Sequence, residues 1–198
     1  MSKKQRIGIY SGSFNPVHAG HISFALQALT VASLDKVYFM PERYRQGKID
    51  MAHYAHRTAM IRQAIKPYRR LGLIDNSDVS SSVAKTLPKL SNMYYGSSLV
   101  FLMGSDILAS LKDWPNAKLL LRSSELVVGI RLGDESKIEG WLNELPCPPK
   151  RLYSFASHAP DVTSTKIRNA LRKEEEVPGT LSSVRRYNNR NWLYISLA

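Results

Sequence analysis

A single cysteine among 198 residues, Cys147, excludes an intramolecular disulfide and any cysteine-built metal cluster. It sits between Pro146 and Pro148 with no basic helix terminus to activate its thiol, so it reads as a bystander. Long hydrophobic runs are also missing. Stretches such as Ser98 to Met103 fall far short of the roughly 20 apolar residues needed to cross a bilayer, and a soluble protein without a membrane partner is expected. No apolar leader separates Met1 from the first strand-like run, so a cytoplasmic location is expected. There is no internal repeat and no low-complexity linker. Acidic residues are scarce: 16 Asp and Glu stand against 28 Lys and Arg, a formal charge of +12. Such a surplus favours anionic partners, whether nucleotides or nucleic acid. It is not confined to a tail, because Lys36 to Arg70 holds nine basic residues against Glu42 and Asp50. That stretch reads as a basic rim on a folded domain, and no RNA-binding signature accompanies it.

What the chain does have is alternation. Short apolar runs rich in β-branched and aromatic residues fall at Arg6 to Tyr10, Lys36 to Met40, Leu71 to Ile74, Leu99 to Met103, Leu126 to Ile130 and Leu152 to Phe155, with helix-compatible stretches between most of them. This order predicts an α/β protein, a Rossmann-like doubly wound parallel sheet with right-handed crossovers. One main domain over residues 1–170 is expected, with a small C-terminal helical appendage over 171–198 packed on it. Within that appendage the pattern predicts a polar turn at Glu174 to Thr180 and a short helix ending near Tyr187. The Pro-rich stretch at Pro146 to Pro149 is a loop rather than a boundary, since another strand follows at once.

The first strand runs into Ser11-Gly12-Ser13-Phe14-Asn15-Pro16-Val17-His18-Ala19-Gly20-His21, and a helical pattern continues from Ala19 to Ala32. In an open parallel sheet that junction lies at the carboxyl end of a strand, where main-chain N–H groups and a helix N-terminus can hold phosphate. Gly12 permits a close backbone approach, Ser11 and Ser13 offer hydroxyls, and Asn15-Pro16 stiffens the turn. His18 and His21 are three apart on the opening turn, so they project from a similar face and can donate to phosphate oxygens.

A second cluster, Val162-Thr163-Ser164-Thr165-Lys166-Ile167-Arg168, places hydroxyl residues just before a helix whose apolar positions continue through Ile167, Ala170 and Leu171. Thr163, Ser164 and Thr165 thus fall at N-cap and first-turn positions, which again suits an anion. Arg168 can grip phosphate bidentately. An ordinary capped helix with a surface arginine would look the same in isolation.

Together the two clusters resemble the HxGH nucleotidyltransferase superfamily, whose second signature reads approximately ISSTxIR, with Val162 and Thr163 here as mild departures. Within it the chain looks like a nicotinate or nicotinamide mononucleotide adenylyltransferase. Gly104-Ser105-Asp106 with Trp114, Val127 to Arg131, and Val184 to Tyr187 with Leu193-Tyr194 extend the resemblance over nearly the whole chain. It implies transfer of AMP from ATP to the mononucleotide, giving a dinucleotide and pyrophosphate, with Mg²⁺ bridging phosphates and no protein metal site. His18, His21 and Arg168 would be catalytic. ATP would be held by Ser11, Gly12, Ser13, Phe14, His18, His21, Gly104, Asp106, Thr163, Ser164, Thr165 and Arg168, Asp106 accepting from a ribose diol. The mononucleotide would meet Ser13, Arg43, Arg45, Lys48, Trp114 and Arg131, with the indole of Trp114 on the pyridine ring.

One segment departs from the bacterial nicotinate pattern. No Pro-Pro-His-Lys-like stretch follows the second strand; Arg43-Tyr44-Arg45-Gln46-Gly47-Lys48 with His56-Arg57 looks more like the nicotinamide enzymes of eukaryotes. His53 reads as a surface residue, and His158 lies beside the second cluster without a defined role. The alternatives are a pantetheine-phosphate adenylyltransferase, a cytidylyltransferase, or a non-catalytic nucleotide- or RNA-binding protein of the same fold. ATP and a pyridine mononucleotide are the expected partners; nucleic acid is not, and a homo-oligomer is compatible with the sequence.

Overall fold

The structure, a computed structural model, describes residues 4–43, 51–75, 82–157 and 162–194. Six parallel strands form its centre: β1 (Arg6–Gly12), β2 (Lys36–Pro41), β3 (Leu71–Leu73), β4 (Ser98–Gly104), β5 (Glu125–Ile130) and β6 (Leu152–Ala156). They lie in the order β3-β2-β1-β4-β5-β6. All five pairings are parallel, so the chain winds outward from β1 in one direction and then, from β4, in the other. The reversal falls between β1 and β4. At such a switch point neighbouring crossovers diverge and leave a crevice beyond the strand ends, where ligands of open α/β sheets bind.

Helices α1 (Ala19–Val31), α2 (Tyr54–Ile65), α3 (Val83–Met93), α4 (Ser105–Leu111), α5 (Ala117–Ser123), α6 (Ile138–Asn143), α7 (Ser164–Arg172) and α8 (Ser182–Asn191) complete the described elements, with a 3₁₀ turn at Glu135–Lys137. Strand periodicity of two sends alternate side chains to opposite faces. In β5, Val127 joins the core under α1 and α2, while Leu126 and Val128 join the core under α3, α4 and α5. In β4, Val100 and Leu102 face the first core and Leu99 and Met103 the second. This division is why the strands read as continuous apolar runs: both faces are covered.

Helix α8 packs on α2. Val184 is fully buried in the first core, and the Tyr187 hydroxyl lies 3.0 Å from His56 Nδ1. The helix runs to Asn191, four residues past the Tyr187 end expected from sequence, with Asn188 buried and Asn191 Nδ2 donating to the Tyr187 carbonyl. The basic stretch from Lys36 to Arg70 also needs correction. Arg57 is no part of a rim: it is fully buried.

Candidate active site

A cleft of about 840 Å³ opens beyond the carboxyl ends of β1, β4 and β5. It is lined by Ser11, Gly12, Ser13, Phe14, His18 and His21 from the first cluster, by Thr163, Ser164 and Thr165 from the second, and by Gly104, Asp106, Trp114 and Arg131 between them.

His18 is the N-cap of α1 in an extended conformation, and His21 stands in its first turn. Their rings lie 3.7 Å apart between centroids and tilt by 31°. The His18 main-chain N–H donates to His21 Nδ1 at 3.2 Å. A neutral ring accepting at Nδ1 must carry its proton on Nε2, so the main chain fixes His21 as a single-N–H donor. Burial pushes His18 down to about 4; burial, His18 and Arg131 together hold His21 well below the usual imidazole range. Both rings are therefore neutral at pH 7. His18 Nδ1 is buried without a hydrogen-bond partner. Phe14 also lines the cleft but is only 1% exposed, its ring standing edge-on to His21 at 5.0 Å and to Tyr10 at 5.2 Å. Its ring is thus packed among Tyr10, His21 and Phe39.

The two clusters are joined directly. Ser164 Oγ donates to the Pro16 carbonyl at 3.0 Å, and Arg168 Nη1 donates to the Asn15 carbonyl at 2.8 Å. Thr163 caps α7, its hydroxyl accepting from Lys166 N–H at 3.2 Å. Arg168 itself is not part of the cleft lining. Its Nη2 turns to Thr165 Oγ1 at 3.3 Å, so the guanidinium braces the wall that the hydroxyls line.

Asp106 opens α4 and pairs with Arg131 at 3.1 Å across the ends of β4 and β5. Both are about half exposed. Gly104 permits that approach, since a Cβ there would stand 2.5 Å from the Asp106 carboxylate. Ser105 Oγ donates to Asp134 at 2.8 Å and accepts from Arg131 N–H at 3.1 Å, which fixes the loop after β5. Trp114 lies between α4 and α5, lining the cleft with one side and packing on the second core with the other.

Of the remaining expected ligands, Arg43 is exposed and does not line the cleft; Arg45 and Lys48 lie outside the described residues, as does His158. His53 is exposed and caps α2, accepting from Ala55 N–H at 3.4 Å. Cys147 packs against the second core. Sequence reasoning missed Tyr10, whose alternation in β1 placed it as a strand residue, and the supporting pair Asn15 and Arg57, whose partners come from separate loops. Among the described residues, no group of three or more His, Cys, Asp and Glu side chains could hold a metal ion, and no helix is long and apolar enough to cross a membrane.

The cytidylyltransferase-like family matches residues 9–170, from β1 into α7. A protein of Clostridium perfringens strain 13 named "Probable nicotinate-nucleotide adenylyltransferase" is 30% identical over 93% of this chain and 97% of its own length. A protein of Neisseria gonorrhoeae strain NCCP11945 with the same name is 30% identical over 96% of this chain and 98% of its own. Among solved structures, the Plasmodium falciparum nicotinic acid mononucleotide adenylyltransferase complexed with NaAD superposes with a TM-score of 0.82 at 19% identity, over 98% of this chain and all of that one. That likeness concerns the fold. The chain belongs to the cytidylyltransferase-like family and, within it, to the nicotinate-nucleotide adenylyltransferases.

Proposed function

We propose that this chain transfers AMP from ATP to nicotinate mononucleotide, releasing pyrophosphate and the deamido dinucleotide. The observation that carries the reading is the convergence of both hydroxyl-rich clusters on one cleft at the switch point, locked by the Ser164–Pro16 and Arg168–Asn15 hydrogen bonds. The named relatives favour this acceptor over a pantetheine phosphate or a cytidylyl donor, even though the segment after β2 is more like that of the nicotinamide enzymes.

The acceptor phosphate attacks the α-phosphorus of ATP, forming one P–O bond as the bond to pyrophosphate breaks. Such chemistry depends chiefly on alignment and on neutralising charge in the transition state. His21, with its proton fixed on Nε2, donates to a phosphate oxygen at the reacting centre, and His18 donates beside it. Thr163, Ser164 and Thr165 offer hydroxyls and the α7 N-terminus to the leaving pyrophosphate. Arg168 holds their wall in place through Asn15 and Thr165. Asp106 accepts from the ribose hydroxyls, and Trp114 offers an indole face to the pyridine ring. Besides imidazole and hydroxyl groups the cleft wall carries the carboxylates of Glu42 and Asp106 but, among the described residues, no cluster of three or more metal-binding side chains, so a Mg²⁺ ion would depend mainly on the substrate phosphates. When bound, that ion neutralises charge between the phosphates. The low cysteine content is in keeping with a reducing, cytoplasmic compartment.

Steady-state assays with ATP and either mononucleotide test the reading. Acceptor-dependent pyrophosphate release with higher kcat/KM for nicotinate mononucleotide is expected; release with neither acceptor overturns it.

A further inference from the structure

Arg57 is a cation with no exposed surface, set in the first turns of α2 beneath the cleft rather than in its lining. Its guanidinium spends its donors on main-chain carbonyls from three places. Nη1 donates to Ser13 O at 2.6 Å, Nη2 to Arg43 O at 3.1 Å and Nε to Ala52 O at 2.9 Å. Ala52 returns to the first loop, its N–H donating to Asn15 Oδ1 at 3.1 Å. Burying a charge is costly, and here its hydrogen bonds run to backbone carbonyls rather than to a carboxylate. Burial lowers the pKa of Arg57, with Tyr194, Tyr54 and Glu42 opposing the effect. A group so placed acts on the backbone it holds.

The 2.6 Å bond to Ser13 has a directional consequence. A planar trans peptide carries its C=O and N–H on opposite sides, so the Ser13 carbonyl turned inward onto Arg57 turns the Phe14 N–H the other way. Ser13 and Phe14 both line the cleft, whereas Arg57 does not. Phe14 also holds a φ of 43°, the left-handed region that a non-glycine residue adopts only when its surroundings impose it. Rotation of the Ser13–Phe14 peptide would change that φ and withdraw the N–H. The three carbonyls of Ser13, Arg43 and Ala52 are met by three separate nitrogens of one planar fork, whereas a lysine ammonium gathers its donors on a single nitrogen and lacks that spread.

We infer that Arg57 is a positioning residue for adenylyl transfer: by clamping the Ser13 carbonyl together with those of Arg43 and Ala52, it aims the Phe14 N–H into the cleft as a donor to a substrate phosphate oxygen. The inference rests on the reaction proposed above.

The test compares R57K and R57A with the parent enzyme. Circular dichroism and thermal unfolding establish folding, and the kinetic constants for both substrates are then measured. A folded R57K with kcat lowered about tenfold or more, against KM changes of a few-fold, is expected, because the misaimed donor acts on the transition state. Millimolar guanidinium should restore part of the R57A rate, and methylammonium should not. Crystal structures of R57K should show the Ser13–Phe14 peptide rotated. Parent-like kcat in folded R57K overturns the inference, as does lost activity that follows the unfolded fraction without guanidinium rescue. If the parent forms no dinucleotide, the reaction assignment fails instead. Calorimetry with ATP still decides on Arg57: weaker binding to folded R57K supports the clamp and unchanged binding overturns it.

Discussion

The Tyr194 hydroxyl donates to Asn15 Oδ1 at 2.6 Å, joining two residues 179 positions apart. Asn15 is thereby held from three sides, since Ala52 N–H shares its side-chain oxygen and Arg168 takes its carbonyl. The loop that carries the histidines is thus tied down by residues remote from it in sequence. Tyr194→Phe removes one donor and leaves the Ala52 bond. A loss of about 1 kcal/mol is expected, or about 2–4 °C in Tm for a chain of this size. Thermal unfolding reads it directly, and an unchanged Tm would show that the tie contributes nothing.

His21 should be the most sensitive position in the cleft. Its Nδ1 is taken by the His18 main chain, so the N–H of the neutral ring is on Nε2, in a residue that lines the cleft. Removing one well-placed donor to a developing oxyanion costs about 100- to 1000-fold in rate. His21→Ala should lose that much kcat while circular dichroism stays native. The ring also rests against Phe14 and Tyr10, so His21→Asn, which keeps a donor, should retain more activity than the alanine variant.

Trp114 bridges the second core and the cleft. If its face carries the pyridine ring, Trp114→Ala should raise KM for the mononucleotide about tenfold, with a smaller change for ATP. Trp114→Phe should recover most of the difference, as a phenyl ring still stacks. Equal changes in both KM values would instead indicate that the residue only packs.

The six strands were legible because each is an apolar run buried on both faces and bounded by turn residues, as Val127 between Leu126 and Val128 illustrates. The two phosphate clusters were legible because their chemistry is local: a hydroxyl at an N-cap, a histidine in a first turn. What sequence could not display is a bond whose partner is remote and generic. Arg57 sits among eight other basic residues and holds main-chain carbonyls, which any residue could supply. Arg168 has the composition of a phosphate ligand, yet the Asn15 carbonyl takes its guanidinium. Charge alone does not separate a cation facing solvent from one bracing a loop.

The histidine pair also fixes a pH dependence. Folding lowers His18 from its ordinary 6.5 to about 4. Between those values the unfolded chain binds a proton that the folded ring refuses, so stability rises with pH across the window and is complete above it. Acidification from 6.5 toward 4 therefore destabilises the fold, by up to about 3 kcal/mol from His18, and the lowered His21 acts in the same direction. His18→Asn should flatten the Tm profile across this range. Triphosphate binding should act oppositely, because phosphate oxygens beside the rings favour their charged form. Calorimetric titration with ATP at roughly pH 6, in buffers of different ionisation enthalpy, should show net proton uptake that is reduced in His18→Asn. Buffer-independent enthalpies would mean that both imidazoles stay neutral on the nucleotide and act by hydrogen bonding alone.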